Sequence, residues 1–181
     1  MKNNSPILLS TKDCAYISVF VALVIVTQLL FSAIPGVELV TLLFASFSFV
    51  FGALRGSISA TIFSILRQIL FGFYPNVLIL YLIYYNFLTI IFGLIGLKIK
   101  STQRSLILII VLACFCTSFF TILDNIITPI YYSYSIKARE LYFKSSIPFM
   151  LSQCFCTSIS VGCLFLPLCK IFSLLKGKEK N

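Results

Sequence analysis

Six apolar runs, separated by short polar or glycine- and proline-containing segments, dominate this chain of 181 residues. Most of the runs are close to the roughly 20 residues that an α-helix needs to cross a bilayer. Hydrophobic residues make up 60% of the sequence and charged residues only 10%, whereas a soluble domain carries about 25% charged residues. A chain with so little polar surface needs lipid as its solvent, so the runs predict membrane-spanning helices.

We therefore predict an all-α integral membrane protein in which residues 1–181 form one domain, a single bundle of six transmembrane helices. The predicted helices cover about 14–34, 37–54, 57–71, 77–97, 105–123 and 147–175. The second and third runs are short and could instead form a re-entrant pair, but their combined length fits two short or tilted spans better.

The sixth helix is predicted to begin at Ile147-Pro148, because proline in a first helical turn has no N–H bond to lose. The polar, tyrosine-rich stretch before it, about 126–146, is then an external loop. Loops of this length often cover pockets as lids. Its tyrosines fit a ligand lid and an interfacial aromatic belt equally well.

The basic residues predict the orientation of the bundle. Ten lysines and arginines fall on the side of the two termini and three on the other side, while Arg67 lies within the third run. By the positive-inside rule, both termini are expected in the cytoplasm of a cell with a multi-pass protein in its plasma membrane. The net charge of +9 therefore reflects topology, and no basic face of a soluble fold points to nucleic acid. The first run is too long for a cleavable signal peptide and lacks a cleavage site.

Polar side chains inside the predicted bilayer fall almost entirely in the half away from the cytoplasm. Ionisable and amide groups at that depth are costly and usually functional. Their convergence predicts one outward-facing pocket, lined also by tyrosines of the fourth run, as small-molecule sites usually are. The predicted ligand-binding residues are Gln28, Glu38, Arg67, Gln68, Asn76, Tyr81, Tyr85, Asn86, Asp124, Asn125 and Gln153.

Arg67 is the most informative member of this set, because an arginine about one turn from a helix end needs a partner. Glu38 and Asp124 are the acidic residues predicted in the same half of the membrane. Two interpretations remain open: a buried ion pair that locks helices together, and a guanidinium that grips a carboxylate or phosphate of a ligand.

No sequence motif predicts catalysis, a cofactor or a metal. Walker, HExxH and GxSxG motifs are missing, so we expect neither ATP hydrolysis nor enzymatic activity by this chain. The seven cysteines include no CxxC pair, and we interpret them as small apolar residues that ease helix packing.

Small residues at Ala15, Ser18 and Ala22 share one face of the first helix. Ser18 and Ala22 form a small-xxx-small pattern, which allows a second helix to approach closely. The face predicts either packing within the bundle or docking of a partner protein.

Four stretches resemble one family of transport proteins. The small-residue segment 15–22, the run 34–41, the turn Phe51-Gly52-Ala53-Leu54-Arg55-Gly56, and Tyr81 together with 92–96 are similar to the substrate-binding subunit (S component) of energy-coupling factor (ECF) vitamin transporters. The similarity covers the whole chain in layout. The docking segment departs from the family by having serine at one small position.

This resemblance implies a bacterial subunit that captures a vitamin or related micronutrient from outside with high affinity. It would dock its first helix, through Ala15, Ser18 and Ala22, on a transmembrane scaffold that carries two cytoplasmic ATPases. The vitamin stays open: anionic ones fit Arg67, whereas cationic rings fit Glu38 and Asp124. The alternative is a stand-alone secondary transporter, which would need coupling acids near the midplane, where this sequence has none.

Overall fold

The computed structural model describes residues 9–31, 39–99 and 102–177, and all of its regular structure is helical. The helices are α1 (Thr11–Phe31), α2 (Leu39–Phe51), α3 (Ala53–Phe71), α4 (Pro75–Lys98), α5 (Leu106–Tyr131) and α6 (Ile136–Gly177). The predicted all-α fold with six helices is confirmed. The bounds of α1 and α4 lie within about three residues of the predicted ones wherever the structure describes them.

Four of these helices, α1, α4, α5 and α6, are long and apolar enough to cross a membrane. The two helices predicted to be short or tilted are the ones that fall outside this group. Helix α2 has 13 residues, which is about 20 Å and less than the roughly 30 Å hydrocarbon core. Helix α3 has 19 residues but carries Arg55 and Arg67.

Helix α2 is the central helix of the bundle. It contacts all five other helices, and ten of its 13 residues are buried. Its aromatic side chains fill the core: the Phe47 ring stacks on Phe20 of α1 at 3.9 Å between centroids and meets Phe172 of α6 edge-on at 5.7 Å. Because protein rather than lipid surrounds α2, a short helix can end inside the bundle without exposing its backbone to hydrocarbon.

Glycines bring α4 against the junction of α2 and α3. Gly52 separates the two helices with a positive φ of 93°, a conformation that glycine adopts at little cost. A methyl group at Gly93 would overlap the backbone of Ala53, and one at Gly96 would overlap the backbone carbonyl of Phe49. The α4 backbone therefore lies directly against the α2–α3 backbone, with no space for a side chain.

Polar contacts join the helix ends near the start of α1 and the end of α6, which we call the terminal end. Asp13 and Arg55 form an ion pair between α1 and α3 at 2.7 Å. The Tyr16 hydroxyl donates to the Leu175 carbonyl at 3.3 Å. The Lys176 ammonium donates to the Val50 carbonyl at 2.5 Å. These contacts hold α1, α2, α3 and α6 together there; the sequence analysis counted Arg55 and Lys176 only as topological charges.

The predicted external loop at about 126–146 is wrong, since most of it is helical. Helix α5 continues to Tyr131 and α6 begins at Ile136, which leaves only the turn 132–135 between them. The predicted start of the sixth helix at Ile147-Pro148 is therefore also wrong, and Pro148 lies inside α6.

Local interactions explain the early start of α6. The Ser135 hydroxyl accepts a hydrogen bond from the Ala138 amide at 3.3 Å, as an N-terminal cap does. One turn further on, Glu140 and Lys144 pair at 2.6 Å with the i, i+4 spacing that supports a helix. These signals are present in the sequence, but the position of Pro148 favours a later helix start.

Candidate ligand-binding site

The second end of the bundle holds a cluster of polar side chains from α1, α3, α4 and α5. We call it the polar end and define it by Gln28, Arg67, Gln68, Asn76, Tyr81, Asp124 and Asn125. Its contacts bring together side chains that are distant in sequence, and the outward-facing pocket stays a prediction. Glu38, another predicted site residue, lies outside the described residues.

The Arg67 guanidinium lies between two aromatic rings. Its central carbon is 4.7 Å from the centroid of the Tyr81 ring and 5.3 Å from that of Phe71. Such cation–π contacts stabilise a buried cation by about 0.5–2 kcal/mol. The Nε and Nη1 atoms are buried and donate to no hydrogen-bond acceptor among the described residues. Arg67 therefore presents two free donors inside the protein.

Asp124 is not the counter-ion of Arg67. Its Oδ1 accepts a hydrogen bond from the Thr128 hydroxyl at 2.7 Å, and its Oδ2 accepts one from the Tyr142 hydroxyl at 2.6 Å. The Asn76 side-chain amide donates to the same Thr128 hydroxyl at 3.3 Å. This chain of contacts joins α4, α5 and the N-terminal part of α6.

Gln28 and Tyr81 connect α1 with α4. The Gln28 side-chain amide donates to the Tyr81 hydroxyl at 3.4 Å. The Tyr81 ring meets Tyr85 edge-on at 5.1 Å between centroids, and Tyr84 contacts Tyr85 in the same way at 4.9 Å. The tyrosine patch predicted on the fourth helix therefore adjoins Arg67 and Gln28 directly.

The side-chain amides of Gln68 and Asn125 each form one hydrogen bond within the protein. The Gln68 carbonyl oxygen accepts from the Tyr74 backbone N–H at 2.9 Å and so fastens the α3–α4 turn. The Asn125 amide donates to the Ser146 hydroxyl at 2.7 Å. The other polar atom of each amide, Nε2 of Gln68 and Oδ1 of Asn125, is buried without a partner in the described part of the chain.

Six buried side-chain atoms at the polar end have no hydrogen-bond partner among residues 9–31, 39–99 and 102–177. Three are donors and three are acceptors: Arg67 Nε and Nη1, Gln68 Nε2, Gln28 Oε1, Asn76 Oδ1 and Asn125 Oδ1. Each unsatisfied buried group costs about 1–3 kcal/mol. A ligand offering both acceptors and donors would pair with this set, whereas a purely anionic group would leave the three acceptors unpaired.

Two predicted site residues are paired elsewhere in the bundle. Asn86 forms a bond with the Thr61 hydroxyl of α3 at 3.2 Å and donates to the Leu82 carbonyl at 2.8 Å. Gln153 accepts from the Thr121 hydroxyl at 3.2 Å and so links α5 with α6. These contacts hold neighbouring helices together.

Thr128, Tyr142 and Ser146 also contact the polar end, although they are not among the predicted ligand-binding residues. Thr128 follows Asp124 by four residues, so its i, i+4 position was a readable signal. No comparable sequence signal marks Tyr142 and Ser146, because their contacts depend on the helical register of α6 before Pro148.

The predicted docking residues Ala15, Ser18 and Ala22 are all exposed on α1, while Ile17 and Val21 face the core. The Ser18 hydroxyl donates to the Cys14 carbonyl of its own helix at 2.8 Å. It therefore adds little polarity to a surface made of small side chains. This face does not pack within the bundle.

The family model described as "ECF-type riboflavin transporter, S component" matches residues 8–171. No curated protein and no solved structure matches the chain. The match spans α1 to α5 and most of α6, and it confirms the resemblance read from the sequence. The chain thus belongs to the S component family of ECF-type riboflavin transporters, which are substrate-binding membrane subunits of vitamin importers and not enzymes.

Proposed function

We propose that this subunit binds riboflavin, or a close flavin analogue, at the polar end. The family match across residues 8–171 is the observation that carries this proposal, and the chemistry of the unpaired atoms supports it. The isoalloxazine ring of a flavin presents carbonyl, N–H and carbonyl groups along one edge. That sequence of acceptor, donor and acceptor suits a site with both free donors and free acceptors.

In this proposal Arg67 donates to the ring carbonyls or ring nitrogens of a neutral ligand. A flavin without phosphate carries no charge at neutral pH, so Arg67 acts as a hydrogen-bond donor rather than as half of an ion pair. The Tyr81 ring, which Tyr85 meets edge-on, provides an aromatic surface for the ligand. Gln28, Asn76 and Asn125 accept from the ring N–H and the ribityl hydroxyls. Asp124, already bonded to two hydroxyls, orients Tyr142 and Thr128 around the site.

The topology belongs to the same proposal: six spans, both termini in the cytoplasm and the polar end outside. Its support is the distribution of ten basic residues on the terminal side against three on the other. In this topology the short central helix α2 crosses the membrane within the bundle, as does α3 with its two arginines. The other four helices face lipid. Because the proposed partner is a bacterial ECF system, the subunit is expected in the cell membrane of a bacterium.

Flavin fluorescence gives a direct test of ligand binding. The chain has no tryptophan, so the optical signal comes from the ligand. Stacking against tyrosines should quench riboflavin emission upon titration of protein purified in mild detergent, saturating at one flavin per subunit. Thiamine should not compete. Unquenched flavin, together with the absence of retained flavin by mass spectrometry, would contradict the proposal.

The exposed small-residue face of α1 is proposed to dock on the transmembrane scaffold that carries two cytoplasmic ATPases. Ala22→Leu should leave riboflavin affinity unchanged, because Ala22 is exposed and lies away from the polar end. It should reduce copurification with the scaffold and ATP-dependent uptake about tenfold or more, since close approach of helices requires small residues.

Cys163→Leu is the matched control, because it also enlarges a small exposed side chain, on α6. It should leave copurification unchanged. Equal copurification of wild type and Ala22→Leu would argue against this face. Uptake that persists without the ATPases would favour the stand-alone transporter.

A further inference from the structure

A cleft at the terminal end lies far from the polar end and is not used by vitamin binding. It has a volume of about 330 Å³ and lies between the end of α2, the turn before α5 and the last turns of α6. Its lining residues are Phe49, Val50, Thr102, Leu166, Cys169, Lys170 and Ser173. The lining therefore combines apolar side chains with an ammonium and two hydroxyls.

Among the polar side chains that line the cleft, one cation and one hydroxyl lack a partner in the described part of the chain. Within the described part of the chain, Lys170 forms no ion pair and Thr102 no side-chain hydrogen bond. Ser173 is different, because its hydroxyl donates to the Lys170 carbonyl at 2.8 Å. Lys170 and Thr102 are thus the donors available to a ligand.

The surrounding charge favours an anion. Among the described residues of the terminal end, the basic side chains are Lys12, Arg55, Lys98, Arg104, Lys170 and Lys176. The acidic side chain described there is Asp13, and Arg55 already pairs with it. The first turn of α5, which follows Thr102, adds the partial positive charge of a helix N-terminus.

We propose that this cleft binds the headgroup of an anionic phospholipid, such as phosphatidylglycerol. The phosphate lies against the Lys170 ammonium and the Thr102 hydroxyl, and an acyl chain follows the apolar side chains of Phe49 and Leu166. Basic pockets between transmembrane helices on the cytoplasmic side are the usual sites for such headgroups. A cleft with a cationic rim and an apolar wall suits a lipid better than a soluble anion. This inference rests on the proposed topology, which places the terminal end in the cytoplasm, and not on which vitamin the subunit binds.

Native mass spectrometry of the full chain, delipidated and titrated with phosphatidylglycerol or phosphatidylcholine, tests the proposal. Wild-type protein should retain one phosphatidylglycerol in preference to phosphatidylcholine. Lys170→Gln should lower phosphatidylglycerol occupancy about fivefold, the effect of one lysine near an anionic surface. Thr102→Val, which removes the hydroxyl and keeps the shape, should lower it by a smaller factor.

Lys98→Gln is the matched control, because it removes one exposed charge from the same end outside the cleft. It should retain the lipid, and all variants should keep wild-type riboflavin affinity as evidence of folding. Equal losses in Lys98→Gln and Lys170→Gln, or equal binding of phosphatidylcholine, would overturn the proposal. Displacement by glycerol 3-phosphate would assign the cleft to a soluble anion, and reduced ATPase copurification of Lys170→Gln with undiminished lipid would assign it to a protein partner.

Discussion

Replacing Arg67 with alanine should weaken riboflavin binding at least tenfold. The substitution removes two buried donors, Nε and Nη1, that have no partner among the described residues. Hydrogen bonds from a charged donor are worth about 1.5–3 kcal/mol each, and about 1.4 kcal/mol corresponds to one factor of ten. Fluorescence titration of purified wild-type and Arg67→Ala protein measures the change.

The thermal stability of ligand-free Arg67→Ala separates the two interpretations of this arginine. If Arg67 serves the ligand, the variant loses two unsatisfied buried donors together with the cation–π contacts to Tyr81 and Phe71. These effects oppose each other, so its melting temperature should change little. If Arg67 is half of a structural ion pair, for instance with Glu38, the variant should melt at a lower temperature because it leaves an unpaired acid. Unchanged riboflavin affinity with lowered stability would contradict the ligand role.

Two further variants sharpen this experiment. Arg67→Lys keeps the charge but loses the planar fork of donors, so it should bind riboflavin more weakly than wild type. Arg104→Ala removes an exposed arginine from the turn before α5, at the far end of the bundle. It should bind riboflavin like wild type.

Gly96→Ala should destabilise the protein even though alanine is the better helix former. The new methyl group would overlap the Phe49 backbone carbonyl, and backbone cannot rotate away as a side chain can. Overpacking of this kind costs about 1–3 kcal/mol, which corresponds to a fall of about 5 °C in melting temperature. Gly93→Ala, which meets the Ala53 backbone, should behave in the same way.

Gly162→Ala is the control, because it is expected to change the thermal stability in the opposite direction. A methyl group at Gly162 would meet only the end of the Ile110 side chain, at 3.7 Å. Replacing a helical glycine where space exists stabilises by up to about 1 kcal/mol, so this variant should melt at or above the wild-type temperature. A Gly96→Ala protein that melts no lower than Gly162→Ala would show that α4 does not pack as closely as the structure indicates.

The helices could be predicted from sequence because most of the apolar runs are long and because the first three end at glycine or proline. The early part of α6 could not, since Pro148 suggested a helix start, although Ser135 and the Glu140–Lys144 pair indicated a helix before it. Apolar periodicity shows where lipid and core lie, but it does not distinguish a polar loop from a polar helix that extends beyond the bilayer.

The alternating direction of successive predicted spans indicates which polar residues share a depth, and this is the basis of the predicted site. Depth alone does not give contacts. Asn86 was assigned to the ligand, whereas it pairs with Thr61 across α3 and α4. The choice between a ligand contact and a helix–helix contact depends on the rotation of each helix about its axis, which polar spacing alone did not provide.

The 42 residues of α6 form a rod about 63 Å long, and both of its ends are fixed by side-chain contacts. Tyr142 bonds to Asp124 of α5 near one end, and Lys176 bonds to the Val50 carbonyl near the other. Each residue of an α-helix turns the chain by about 100°. A single insertion or deletion between these positions would therefore rotate one contact out of reach while the other remained in place. Length variation among related chains should accordingly be confined to turns such as 132–135, where an added residue changes no angular relationship within the rod.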